Sequence, residues 1–148
     1  MGQQQLLLLV LATVIVGLAT VAGLQVFDEN QDQAAQDALV EQGTAIMTDV
    51  KTILNRPSNL GGTHYGRSGA RVLHDLGYDE YEIESTVPVE GAPGGGICDL
   101  GLDAGTNTAG VVCTADAASQ DVKVTFNASG NGEISTEFGT DLTKPGAD

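Results

Sequence analysis

Leu6 to Phe27 reads LLLLVLATVIVGLATVAGLQVF, with no charged side chain and only Thr13, Thr20 and Gln25 as polar interruptions. At the ~1.5 Å rise of a helix this stretch is roughly 33 Å long, enough to cross a hydrocarbon layer of about 30 Å. A helix apolar on every side leaves no face for water, so lipid or other helices must surround it. Met1-Gly2-Gln3-Gln4-Gln5 precedes it without a Lys or Arg, unlike the basic start of a secretory signal. The small residues Ala12, Gly17, Ala19, Ala22 and Gly23 lie within the run, and the pair Ala19 and Gly23, four apart, permits close approach of another helix. Gly17 and Gly23, with Thr13 and Thr20, also lower helix propensity there, which allows for a local kink.

Beyond Phe27 the pattern changes from continuous apolarity to a stripe. Ala35, Ala38, Leu39, Ala45, Ile46, Val50, Ile53 and Leu54 recur every three or four residues, with Asp32, Asp37, Glu41, Gln42 and Asp49 mostly between them. Gly43 is the one weak point for a helix. No proline occurs before Pro57, and Asn55-Arg56-Pro57-Ser58-Asn59 is a stop signal. One helix from about residue 4 to residue 54 is expected, apolar all round in its first half and one-faced in its second.

The remainder is loop and strand. Leu60 to Tyr78 is punctuated by Gly61, Gly62, Gly66, Gly69 and Gly77, with a helical turn expected around Ala70 to Leu76. Strands are expected at Tyr78 to Val89, Ile97 to Leu102, Gly110 to Ala115, Asp121 to Ala128 and Glu133 to Phe138. The alternation of Val122, Val124 and Phe126, followed by Ser129-Gly130-Asn131-Gly132, predicts a final hairpin. The tail from Thr140 to Asp148 reads as frayed. The fold class is α+β, organised as an apolar helix over 1–27, its amphipathic continuation over 28–56 and a β-rich head over 57–148.

Twenty acids against six bases give a net charge of −14, dispersed beyond residue 27. Phosphate binding needs clustered Lys and Arg, so nucleic acid is not an expected partner. An acidic exterior with only three lysines resembles the surfaces of proteins from high-salt habitats. Cys98 and Cys113 do not form a CxxC pair and cannot fill a four-ligand metal site alone. A disulfide is their simplest use in an oxidising compartment, and two buried thiols are the alternative. Together with the sequon Asn127-Ala128-Ser129, a candidate N-glycosylation site, and with Asp28, Glu29 and Asp32 directly after the span, they put the C-terminal domain outside the cell.

Catalysis finds no foothold. GxSxG, HExxH and P-loop patterns are missing from the sequence. His64 and His74 lack an evident third ligand, and Arg67 and Arg71 are read as pairing with acids of a neighbouring copy. Asp99, Asp103, Asp116 and Asp121 lie on turn-rich segments where calcium could bind, but solvated turn residues are the default. No cofactor and no resident metal is expected.

A charge-free apolar helix at the start, running into an amphipathic helix and then a small β-rich domain with a late cysteine pair and a final hairpin, resembles the type IV pilin superfamily. The resemblance spans nearly the whole chain in architecture. It implies a structural subunit that waits in the cytoplasmic membrane and is drawn by an assembly machine with a cytoplasmic ATPase into a cell-surface filament. Leu6, Leu7, Leu8, Leu9, Leu11, Ile15, Gly17, Ala19, Gly23 and Phe27 would form the polymer core. Cys98 with Cys113 would clamp a surface loop. In that family a glutamate at the fifth mature position pairs with a neighbour's N-terminal amine. Here that place falls on Gln5 counted from Met1, or on Leu7 if cleavage after Gly2 leaves Gln3 first, so Gln3, Gln4 and Gln5 are expected to supply a neutral amide network instead. The alternatives are a single-span anchor displaying a binding domain, and a minor or secretion-system pseudopilin.

Overall fold

The computed structural model describes residues 2–78, 85–130 and 132–146. Helix α1 runs unbroken from Gly2 to Leu54. The helical assignment continues through Gly17 and Gly23, and the Thr13 and Thr20 hydroxyls are satisfied by the Val10 and Gly17 carbonyls. After a short 3₁₀ turn at Ser58–Leu60 comes α2, Gly69–Asp75, capped by the Ser68 side chain, which accepts from the Arg71 amide.

Among the described residues five strands follow as an antiparallel meander: β1 Thr86–Pro88, β2 Gly96–Asp103, β3 Thr108–Ala115, β4 Asp121–Asn127 and β5 Ile134–Gly139. The expected strand over Tyr78 to Val89 is realised only as the short β1, and residues 79–84 lie outside the described residues. The other strands fall where alternation and turn chemistry put them. Pairing sets Cys98 against Cys113 and Cys113 against Val122, then Leu100 against Val111 and Val111 against Val124. Because side chains alternate across a strand, these residues share one face, and that face is the core.

Helix α1 covers this face chiefly over β3 and β4. Its buried residues are Ala35, Leu39, Gly43, Ile46, Met47, Val50 and Ile53. Two readings from the sequence need correction. Ala45 is exposed, and Gly43 belongs at the centre of the contact. A methyl group on Gly43 would meet Val124 Cγ2 at 3.0 Å and Cys113 Sγ at 3.2 Å. Gly43 therefore lowers helix propensity in exchange for close approach of helix and sheet. Gly43→Leu is expected to cost about 1–3 kcal/mol by overpacking, measured by denaturant unfolding. Unchanged or increased stability would contradict this packing.

The cysteines are joined, Cys98 to Cys113, with no exposure to solvent. The bridge does not sit at a surface loop. It crosses two paired strands beneath α1, because alternation points both residues at the helix.

The tail also departs from expectation, remaining packed on the sheet as far as Gly146. On the face opposite α1, Gly101 and Gly110 pair and leave a slot. Pro145 fills it so closely that a Cβ on Gly101 would fall 2.2 Å from the Pro145 carbonyl oxygen. Lys144 secures this strap by donating to Asp99 at 2.7 Å and to Ser85 Oγ at 3.0 Å.

Candidate assembly surface

From Gly2 to Gln31 every residue of α1 is exposed. Leu6 keeps 67 % of its surface open and Phe27 63 %, values ordinary for this segment and exceptional for apolar side chains in water. An 18-residue window within α1 has a mean hydropathy of 2.6, so α1 is long and apolar enough to cross a membrane. The two hydroxyls inside the segment are already satisfied by the helix's own carbonyls. No polar partner is therefore required between Leu6 and Leu24, whether lipid or protein surrounds the helix. Gln3, Gln4 and Gln5 are exposed at its start, and a shallow groove along one side is lined by Gln3, Leu6, Leu7, Val10, Leu11 and Val14.

The glycines sharpen the description. Nothing in the chain lies within 4 Å of where a Cβ would sit on Gly17 or Gly23. Each costs about 1 kcal/mol of helix stability relative to alanine, and no contact within the chain accounts for it. Ala19 and Gly23, four apart, share one side of the helix and offer a smooth patch on which another backbone could lie close, while Gly17 faces a different side.

The head fixes the direction of this segment. Asp32 accepts from the Ser119 amide at 2.7 Å, and Gln36 donates to the Ser119 hydroxyl at 3.0 Å, where the covered part of α1 begins. Near the other end, Lys51 donates to the Gly132 carbonyl at 2.8 Å and lies 5.2 Å from the Phe126 ring centre. With the core packed between these ties, the thirty exposed residues project as a continuation of one helix, roughly 45 Å long.

Tyr78 provides a third tie, donating to Asp49 at 2.7 Å. Its hydroxyl is pushed up to about 12, first by partial burial, then by the hydrogen bond to Asp49 and that carboxylate's charge. The folded state thus favours the neutral phenol. This contribution is complete below the ordinary value of 10.0 and is lost as pH rises towards 12. Tyr65, raised by burial, acts in the same direction. Tyr78→Phe is expected to flatten, but not remove, the loss of thermal stability between pH 10 and 12; an unchanged slope would show that this phenol does not contribute.

Other residues singled out from the sequence are dispersed. Arg67 pairs within its own chain, with Asp75 at 2.7 Å, and both side chains stay about one-third exposed. His64 accepts from the Gly66 amide, and His74 stands 3.9 Å from Asp75. Asp99 is engaged by Lys144. Asp103 caps its own turn, accepting from Thr106 and Gly105, and these bonds hold its carboxyl below the usual range. Among the described residues no group of three or more His, Cys, Asp or Glu side chains is placed to hold a metal ion. Asn127 is exposed at the end of β4.

No known protein family, no curated protein and no solved structure matches this chain.

Proposed function

We propose that this chain is the structural subunit of a type IV pilus-like extracellular filament, polymerising through the apolar half of α1. The observation that carries the reading is the uncharged, exposed stretch of α1 that continues without a break into the helix of a disulfide-bonded head. Its long apolar helix on an antiparallel sheet is compatible with a pilin-like fold. The glycines that no contact within the chain explains favour a helix neighbour over lipid alone. Before assembly the segment rests in the cytoplasmic membrane with the head outside, and the pilus assembly machinery extracts it.

Energetics make the polymer durable. In the bilayer, helix association gains little from hydrophobicity because lipid is equally apolar. Outside the cell, returning the segment to water would expose it at about 25 cal/mol per Å², on the order of tens of kcal/mol per subunit. Released monomers should be scarce. The head's role is to present an acidic, soluble exterior; no enzymatic activity is proposed.

A second reading, a single-span anchor displaying the head, draws on the internally satisfied Thr13 and Thr20, which suit the helix to lipid. A minor pseudopilin is a variant of the first. Cysteine cross-linking separates them. Val14→Cys and Val21→Cys, oxidised in cells, are expected to give covalent dimers of this chain. Monomers at both positions would favour the anchor, and cross-links only to a different subunit would favour the pseudopilin.

A further inference from the structure

The sequon Asn127-Ala128-Ser129 is the only N-x-S/T pattern among the chain's six asparagines. The fold puts it at the end of β4 and the start of the turn into β5, on exposed residues. Asn127 Oδ1 accepts from the Ser129 amide at 2.9 Å and from the Gly130 amide at 3.2 Å. Two N–H donors can be met only by the amide's oxygen, so its orientation is fixed by chemistry. Nδ2 is consequently turned away from the turn, and among the described residues nothing accepts from it.

The surroundings of Asn127 are also distinctive. Asn127 lines a groove of about 600 Å³ between the outer face of the sheet and the C-terminal strap. Thr108, Thr125, Ser135, Thr143 and Lys144 line it too, and the Thr125 and Ser135 hydroxyls lie 2.7 Å apart. The groove is in the size range of small-ligand clefts, roughly 300–1,000 Å³, and its walls mix the hydroxyls with the two lysines Lys123 and Lys144 and with Pro145. Hydroxyls that both donate and accept suit a sugar, whose own hydroxyls do the same. The strap that closes the groove is held by Lys144 on Asp99, so the slot is built by the fold and not by a chance turn.

We propose that Asn127 is an N-glycosylation site and that the first sugar residues lie in the groove beside the strap. The inference rests on the reading that the head faces outward, where a membrane glycosyltransferase would meet it. The donor is a sugar carried on a phosphate leaving group. Nδ2 attacks the anomeric carbon, the N–C bond forms as the C–O bond to phosphate breaks, the phosphate departs with the electron pair, and the lost amide proton goes to a base of the transferase. A glycan there adds a neutral, hydrated cover to the sheet face that α1 leaves open.

The test is peptide mapping and intact mass of the chain isolated from the cells that make it. Wild type is compared with Ser129→Ala, which destroys the sequon but keeps Asn127, and with Ser129→Thr, which preserves it. The expected result is added mass in whole sugar increments on the Asn127 peptide in wild type and Ser129→Thr, and none in Ser129→Ala. Bare Asn127 in an outward-facing head with its disulfide formed overturns the glycosylation inference alone. Bare Asn127 in a reduced, inward-facing head overturns the outward-facing reading with it. Sugar retained on Ser129→Ala would place the attachment elsewhere and overturn the assignment.

Discussion

Ile15→Asp is expected to abolish filaments while leaving the head folded. Ile15 is 57 % exposed, in the middle of the uncharged run, and lies far along α1 from the first buried residue, Ala35. Its replacement removes nothing from the core. A carboxylate at the centre of a membrane helix costs about 2.5–3.5 kcal/mol on insertion scales, and in a packed polymer every subunit would carry that unpaired charge. In the proposed filament each subunit would meet several neighbours, so the penalty would recur at every step of growth. The head is tied to α1 only from Asp32 onward, so its disulfide and melting temperature should match the wild type. Ile15→Leu, which alters shape but not polarity, should assemble normally. Ile15→Asp filaments in ordinary yield would remove the apolar helix from its proposed role.

The second large effect concerns the head itself. Cys98→Ala together with Cys113→Ala is expected to lower its melting temperature by roughly 10–20 °C, corresponding to about 3 kcal/mol. The bridge spans a sequence separation of 15, and both residues are wholly buried beneath α1. Loss of the cross-link releases the unfolded chain, and loss of two sulfur atoms thins the packing opposite Gly43. Aromatic residues are too few to compensate: Phe126 is the only phenylalanine in the buried core cluster. Because the bridge is inaccessible, reductant alone should act slowly on the folded head and rapidly once denaturant opens it. An unchanged melting temperature in the double variant would mean that strand pairing and the α1 stripe already suffice.

How much of this could be read in the sequence depended on the range of the forces involved. The helix was legible because apolarity without interruption and then a three-to-four spacing are local signals, and Pro57 marks its end. Strands β2 to β5 were legible for the same reason: alternation around Val122, Val124 and Phe126 names both a strand and its inner face. Gly43 was misread because propensity is local, whereas its value comes from Val124 and Cys113, residues distant in the chain. The strap was missed likewise. Lys144-Pro145-Gly146 has the composition of a loose end, and only the pairing of Gly101 with Gly110 creates the slot that holds it. Tyr78 with Asp49 left no pattern at all.

The candidate surface divides in the same way. That residues 6 to 27 need a nonaqueous partner follows from their composition, and their exposure along the whole segment sharpens the need. Which of their faces meets a neighbour is a property of two chains. Ala19 and Gly23, on one side of the helix, and the groove beside Leu7 and Val14 are the places where a helix neighbour would be expected to lie.

The most direct test is electron microscopy of material sheared from cells, with the fibre subunit identified by intact mass. The expected result is fibres built of this chain, with the apolar halves of α1 bundled at the axis and the acidic heads outside. Shear that releases no fibres, with the protein remaining monomeric in the membrane fraction, would contradict polymerisation and leave the helix as a lone anchor.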